Sequence, residues 1–106
     1  MSSLVSVYAV FASAEEAARI GRAMVEARLA ACVNILGPCS SIYRWEGAIE
    51  EAQETPALFK TMAERADALV AAIAQAHGYA VPAIAVWPVA QTLPAYLAWA
   101  REATLD

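Results

Sequence analysis

A long β-hairpin, predicted over residues 28–61, constrains the fold of this chain more than any other feature of its sequence. The run over residues 41–45 contains β-branched and aromatic side chains, which favour an extended backbone. Glu46 and Gly47 follow this run and predict a tight reversal, because glycine takes a positive φ without a Cβ clash. Since an isolated hairpin is at best marginally stable in water, this one must pack against a sheet, helices or another subunit.

The segments around the hairpin predict two main helices and two further strands. Ser13 and Glu16, and again Thr61 and Glu64, stand at capping-box spacing, which predicts two helix starts. Gly78 predicts a left-handed cap at the end of the second helix. The predicted elements are a strand over residues 4–11, a helix to about residue 29, the hairpin, a helix ending near residue 77, an extended segment over 79–89 and a short helix from Pro94. This β-α-β-β-α-β order with a helical tail predicts a single ferredoxin-like α/β sandwich (class α+β) over residues 1–106.

The apolar character of the chain predicts association with other copies. Hydrophobic residues make up 60% of the sequence and charged residues 17%, against about 25% charged residues in a typical soluble domain. The predicted first strand is apolar on both faces, so the sheet face away from the two helices would also be apolar. Burying that face would strongly favour an oligomer over an exposed sheet. The two alternating sets are Val5, Val7, Ala9 and Phe11 on one face and Leu4, Tyr8 and Val10 on the other.

Charge and segment length argue against several classes of partner. The formal net charge of −4 opposes binding to nucleic acid, because contacts to the phosphate backbone need clustered Lys and Arg. No apolar run approaches the ~20 residues of a membrane-spanning helix, and the start at Met1 has neither a basic region nor a signal-peptide core. We therefore expect a cytosolic protein without a membrane partner. The two cysteines are too few for a disulfide framework and are expected to remain thiols.

Three side chains are candidate metal ligands, and each also has a structural explanation. Cys32 lies in an apolar strand segment, where a thiol also packs as a small hydrophobe. Cys39 follows a break in the chain and is a more accessible soft ligand. His77, at the end of the second helix, either caps or packs there or binds a metal. A closed zinc site needs four Cys or His ligands, so a site here would borrow carboxylates, water or ligands from another subunit.

The pattern of reactive residues does not indicate an enzyme. His77 is the single histidine and has no neighbouring pattern of a catalytic triad. The glycines are too far apart for a phosphate-binding loop. The acidic residues of the hairpin are interpreted as a solvated face, since exposed carboxylates commonly protect a strand edge. They are Glu46, Glu50, Glu51 and Glu54.

Lys60 and the aromatic residues are candidates for a binding cleft or an interface. Lys60 lies among apolar residues near the end of the hairpin, where its ammonium either reaches water or binds an anion. Indole and phenol groups combine apolar burial with one polar contact and are frequent at subunit interfaces. The tyrosines and tryptophans concerned are Tyr43, Tyr79, Tyr96, Trp45, Trp87 and Trp99.

Several linked motifs then follow one another in register along nearly the whole chain. They are Arg28-Leu29-Ala30-Ala31-Cys32-Val33-Asn34, Ser41-Ile42-Tyr43, Trp45-Glu46-Gly47, Ile49-Glu50, Lys60-Thr61, His77, Tyr79, Val81-Pro82, Ile84, Tyr96 and Trp99. In this order and spacing they resemble the CutA divalent-cation tolerance proteins. The resemblance implies a ferredoxin-like subunit in a tight homotrimer, arranged similarly to the PII signalling proteins. It also implies that the hairpin tip, with Tyr43, Trp45, Glu46 and Gly47, pairs with neighbouring subunits.

The resemblance further implies a function in tolerance of divalent metals, copper above all. Cys32 and His77 correspond to a family cysteine and a family histidine that are proposed as copper ligands, whereas Cys39 lies outside the family motif. Two positions depart from the family pattern. Ala83 stands where a glutamate is usual, and Gly78 stands where a proline is usual.

The sequence therefore leads to two functional hypotheses from different classes. The first is a non-enzymatic, cytosolic homotrimer that binds or responds to copper through Cys32 and His77. The second is a PII-like signalling or scaffold trimer whose clefts between subunits bind a small anion or a partner protein. The residues expected to line that cleft are Lys60, His77, Tyr79, Tyr96 and Trp99.

Overall fold

A computed structural model describes residues 3–105, so that Met1, Ser2 and Asp106, which the predicted domain includes, lie outside the described part. The elements are β1 (Leu4–Phe11), α1 (Ala14–Glu26), β2 (Cys32–Ile35), β3 (Cys39–Trp45), β4 (Ala48–Met62), α2 (Ala66–Ala76), β5 (Ile84–Pro88) and α3 (Pro94–Ala103), with a short 3-10 turn at Ala63–Arg65 before α2. The strands form an antiparallel sheet in the order β2-β4-β1-β5, and β3 pairs with the first half of β4. The predicted ferredoxin-like order is confirmed.

The main core lies between the sheet and the helices α1 and α2, which share one face. Alternate side chains of β1 point into it, as the sequence pattern predicts. The members of this core on the sheet and on the helices include Val5, Val7, Ala9, Phe11, Phe59, Ala17, Ile20, Met24, Leu69 and Ile73. We call this side of the sheet the helix face.

The opposite side of the sheet, which we call the second face, is covered at one end by α3. Leu4 and Met62 of the sheet pack there against Ala100 of α3. Farther along the second face, Tyr8 and Trp87 stack with ring centroids 5.1 Å apart. Trp87 is nevertheless 48% exposed. The helical tail thus buries only part of the apolar face that the sequence predicts.

The hairpin of β3 and β4 extends beyond the main sheet. The molecule measures 45 × 25 × 23 Å, and β4 alone spans 15 residues. Trp45 pairs directly with Ala48, and the two residues between them, Glu46 and Gly47, have φ values of 49° and 84°. Positive φ at both positions is the geometry of a two-residue turn that matches the twist of the strands. The predicted reversal is confirmed.

The start and the end of α2 differ from the prediction. Thr61 does not cap a helix, because it lies in β4 and its hydroxyl donates to the carbonyl oxygen of Leu29 at 2.7 Å. The helix begins at Ala66 without a side-chain cap. It ends at Ala76, and the next residue, His77, has an extended backbone at φ −70° and ψ 144°. Gly78 does not take a positive φ, so the left-handed cap predicted there is wrong. Within residues 3–105, no helix combines the length and apolar character needed to span a bilayer.

Candidate functional site

His77 is held on the helix face by contacts on every side of its ring. Its Nδ1 accepts a hydrogen bond from the backbone N–H of Tyr79 at 3.0 Å, so Nε2 carries the proton and donates to the carbonyl oxygen of Val10 at 2.7 Å. The ring also stacks on Phe11 with centroids 4.8 Å apart, and the side chain is only 8% exposed. Both ring nitrogens are therefore already engaged, and a metal would have to displace one of these bonds.

Cys32 lies on the second face, at the start of β2. Its neighbour Val33 packs on the core of the helix face, so alternation along the strand turns Cys32 the other way. The thiol of Cys32 lies 3.4 Å from the hydroxyl of Tyr96 in α3. Tyr96 in turn stacks on Trp99, with ring centroids 5.6 Å apart.

Lys60 lies beside Cys32 on the same face of the sheet. The two residues are direct cross-strand partners, and directly opposed side chains of an antiparallel pair share a face. The ammonium of Lys60 donates to the side-chain oxygen of Asn34 at 2.9 Å. Cys32, Lys60, Tyr96 and Trp99 thus form one group, which we call the Cys32 cluster.

A single chain does not bring Cys32 and His77 together. Cys32 pairs with Lys60, whereas the Val10 carbonyl that contacts His77 belongs to a residue paired with Pro56. The two cross-strand pairs are four residues apart on β4, which is about 13 Å along the strand. The side chains of Cys32 and His77 also lie on opposite faces of the sheet. Across the described residues, no group of three or more His, Cys, Asp or Glu side chains could hold a metal ion together.

The third candidate ligand, Cys39, lies apart from both. It begins β3, where the sequence pattern indicates a break, and it pairs with Glu54. Its sulfur lies 3.7 Å from the hydroxyl of Ser41. Both cysteines are free thiols, as expected from their number.

A cavity of about 700 Å³ opens between the hairpin and the loop that follows α2. The hydroxyl of Tyr79, on the loop side, donates to Oε2 of Glu54 on the hairpin at 2.7 Å and so connects the two walls. The residues that line the cavity are Val10, Ser41, Tyr43, Trp45, Glu50, Glu54, Gly78, Tyr79, Ala80, Val81 and Ala83. We call this space the hairpin cavity.

The hairpin cavity is not predicted from the sequence, because all the acidic residues of the hairpin are interpreted there together as a solvated face. The relevant signal is the period of two along a strand, which separates Glu50 and Glu54 from Glu51. That period places Glu50 and Glu54 on one face of the hairpin, but only the folded loop shows what lies opposite them.

The two positions that depart from the family pattern lie on the wall of this cavity. The backbone N–H of Gly78 donates to Oε2 of Glu16 at 2.8 Å, while Oε1 of the same carboxylate accepts from the N–H of Ala12 at 3.2 Å. A proline has no N–H and could not make the first bond, so the glycine joins this loop to the start of α1. Ala83 lines the cavity with a methyl group, at the position where the resemblance implies a glutamate.

Two tyrosines in these regions have raised pKa values. Partial burial, then the hydrogen bond to Glu54 and the charge of that carboxylate, raise the pKa of Tyr79 from 10.0 to about 12. Burial, followed by the hydrogen bond and the charge interaction with Cys32, raises the pKa of Tyr96 to about 12 as well. Both environments therefore favour the neutral phenol, and the hydroxyl of Tyr79 donates to the carboxylate of Glu54.

A spectrophotometric titration should show this directly. Of the four tyrosines, two are expected to ionise near pH 12, and Tyr79→Phe and Tyr96→Phe should each remove one of them. Because the pKa of Tyr79 in the folded protein lies above the ordinary value of 10.0, its neutral phenol stabilises the folded state fully below about pH 10. This stabilisation is lost as the pH rises to about 12. An unchanged late-ionising fraction in Tyr79→Phe would contradict the assignment of that residue.

Comparison with known proteins identifies the family of this chain. Residues 5–103 match the family described as CutA1 divalent ion tolerance protein. The chain belongs to the CutA1 family. The divalent-cation tolerance protein CutA of Thermus thermophilus is 46% identical to it over 91 residues, which cover 85% of this chain and 88% of that protein.

The relatives extend to animals and to solved structures. The mouse protein CutA is 42% identical over 88 residues, and the chain spans 83% of its own length but 50% of the mouse protein. The solved structure of CutA from Synechococcus elongatus superposes with a TM-score of 0.94 at 36% identity, covering 99% of this chain and 93% of that one. The predicted family and fold are both confirmed.

Proposed function

We propose that this CutA1 family member is a non-enzymatic, cytosolic homotrimer that acts in tolerance of divalent metal ions by binding copper. The observation that carries the proposal is the family match over residues 5–103. The Thermus relative is named as a divalent-cation tolerance protein, and we extend this role to the present chain. The non-enzymatic part follows from the sequence pattern, in which the single histidine, His77, has no neighbouring pattern of a catalytic triad.

Exposed apolar residues on the hairpin and the sheet support the trimer. Ile42 and Ile49, on the outward face of the hairpin, are 69% and 63% exposed, and Trp45 at its tip is 48% exposed. Trp87 adds a large apolar surface on the second face. Exposed apolar patches of this kind mark interaction surfaces. Three copies that share their hairpins would cover both regions.

The copper site is proposed at Cys32, with further ligands from a neighbouring subunit. A thiolate is a soft ligand that suits copper, and Cys32 is partly accessible at the edge strand β2. One chain supplies no group of three suitable side chains within residues 3–105, so the donor set of a single subunit does not form a closed site. His77 remains a predicted second ligand that would lose one of its two present hydrogen bonds.

Anaerobic isothermal titration of the reduced protein with copper tests this assignment. Cys32→Ala is expected to weaken copper binding by at least about tenfold, because loss of a ligand costs more than the ~10–100-fold loss typical of a supporting residue. Cys39→Ala is the matched control and should leave the affinity unchanged. His77→Ala is measured beside it. Unchanged affinity in both Cys32→Ala and His77→Ala would remove these residues from the site.

The alternative proposal, a PII-like trimer that binds a small anion, rests on Lys60. This cation lies on the second face within the Cys32 cluster. Of the other residues expected in the same cleft, His77 lies about 13 Å away along β4 on the helix face, and Tyr79 lines the hairpin cavity. A thermal-shift screen separates the two proposals. Stabilisation by metals supports the first, and stabilisation by organic anions without any effect of metals supports the second.

A further inference from the structure

The hairpin wall of the hairpin cavity is built from one face of two paired strands. Tyr43 and Glu50 are direct cross-strand partners, so their side chains lie on the same face. Alternation along the strands adds Trp45 and Glu54 to this face. Arg44, the neighbouring cation, falls on the opposite face of the hairpin by the same rule.

The lining of the cavity is aromatic and acidic. Three aromatic side chains, Tyr43, Trp45 and Tyr79, contribute to it and keep 42%, 48% and 38% of their surface exposed. Its charged residues are Glu50 and Glu54, and its lining includes no Lys, Arg or His. Oε2 of Glu54 accepts the Tyr79 hydroxyl. Within residues 3–105, the carboxylate of Glu50 accepts no hydrogen bond and remains available.

The acidic and aromatic lining determines which kind of ligand the cavity can bind. Carboxylates and the negative faces of aromatic rings both attract cations, and both repel anions. The lining contains no thiol or imidazole, which soft transition metals prefer. Aromatic rings instead suit a cation that carries apolar groups or a flat delocalised charge. A volume of about 700 Å³ is within the range of pockets for small organic ligands.

We propose that the hairpin cavity binds an organic cation of the ammonium or guanidinium class. The aromatic rings of Tyr43, Trp45 and Tyr79 would surround the cation, and Glu50 would neutralise its charge. The cavity is formed by one chain, so this inference does not depend on the copper site. Because Trp45 also belongs to the surface that the proposed trimer would cover, the assembly decides which cation reaches the cavity. The cation has two sources with the same chemistry, a free amine or a Lys or Arg side chain of a second copy.

Tryptophan fluorescence and isothermal titration with tetramethylammonium and guanidinium, at concentrations that do not denature the protein, test the proposal. Both ions are expected to bind, whereas neutral tert-butanol and acetate should not. Glu50→Gln should weaken binding about two- to fivefold, as for an exposed ion pair. Trp45→Leu keeps an apolar side chain but removes the ring, and should weaken binding about three- to thirtyfold.

Two matched variants control for general effects on the hairpin and on exposed indoles. Glu51→Gln removes a carboxylate from the opposite face of the same hairpin. Trp87→Leu removes an exposed indole from the second face but keeps an apolar side chain at the proposed trimer interface. Both should leave the affinity for the cations unchanged. Equal binding of tert-butanol, or affinities that Glu50→Gln and Trp45→Leu do not change, would overturn the proposal.

A comparison of oligomeric states distinguishes the two sources. Binding of tetramethylammonium to the native protein identifies the cavity as open to free amines. Binding only to a monomeric variant, still dependent on Glu50 and Trp45, shows that a side chain of a second copy occupies the cavity in the assembly. Absence of binding to both forms would also overturn the proposal.

Discussion

Replacing His77 by alanine should destabilise the metal-free protein by about 2–4 kcal/mol. The substitution removes two hydrogen bonds and leaves the carbonyl of Val10 and the N–H of Tyr79 without their partner. The carbonyl of Val10, left unpaired in a buried position, costs about 1–3 kcal/mol. The bond to the N–H of Tyr79 is only partly buried, and its loss together with the lost stack on Phe11 adds about 1 kcal/mol. The free energy of unfolding, measured by urea denaturation in the presence of a chelator, reports this cost without any metal.

Two conservative variants separate the two bonds of His77. His77→Gln places an amide N–H near the position of Nε2 and should retain donation to Val10. His77→Asn places a carbonyl oxygen near the position of Nδ1 and should retain the acceptor for Tyr79. Both are expected to be intermediate in stability. If His77→Ala has full stability in chelator and loses only copper affinity, the histidine acts as a ligand and its structural role is refuted.

Trp87→Asp is expected to convert the proposed trimer into folded monomers. Trp87 is 48% exposed in one chain and stacks on Tyr8 on the second face, which the trimer would bury. A polar group buried without a partner costs about 1–3 kcal/mol, a charge costs more, and the trimer would bury three of them. Sedimentation equilibrium should give the mass of three chains for the native protein and of one chain for the variant.

Val25→Asp is the matched control for this experiment. Val25 is an exposed apolar residue on the outer side of α1, away from the second face, and its replacement should leave the mass unchanged. Ile49→Asp tests the hairpin separately, because Ile49 belongs to the projecting part of β4. Circular dichroism confirms that each variant is folded. A native protein that sediments as a single chain would refute the trimer, and so would a trimer that persists in both Trp87→Asp and Ile49→Asp.

Local patterns in the sequence predict much of the fold. The period of two in β1 identifies the side chains that enter the main core, and Glu46 and Gly47 identify the turn of the hairpin. The helix start at Ser13 is also correct, since its hydroxyl accepts from the N–H of Glu16 at 3.1 Å. Each of these features depends on residues a few positions apart, whose geometry the backbone itself imposes.

The errors arise where a local signal competes with tertiary contacts. Thr61 and Glu64 have the spacing of a helix cap, but the hydroxyl of Thr61 donates to the carbonyl oxygen of Leu29, 32 residues away. Gly78 is the residue type that favours a left-handed cap, but its N–H donates to the carboxylate of Glu16, 62 residues away. A partner that distant in sequence leaves no periodic trace around the residue that it contacts.

The sequence by itself determined the order of the elements, the hairpin turn, the core face of β1 and the membership of the CutA1 family. Only the tertiary structure decided which candidate residues meet. It separated Cys32 from His77, brought Cys32 to Tyr96 across 64 positions, and joined Tyr79 to Glu54 across 25 positions. The spacing of side chains along the chain predicts a helix or a strand locally. Contacts between residues far apart in sequence depend instead on strand register and on how the helices pack over the sheet.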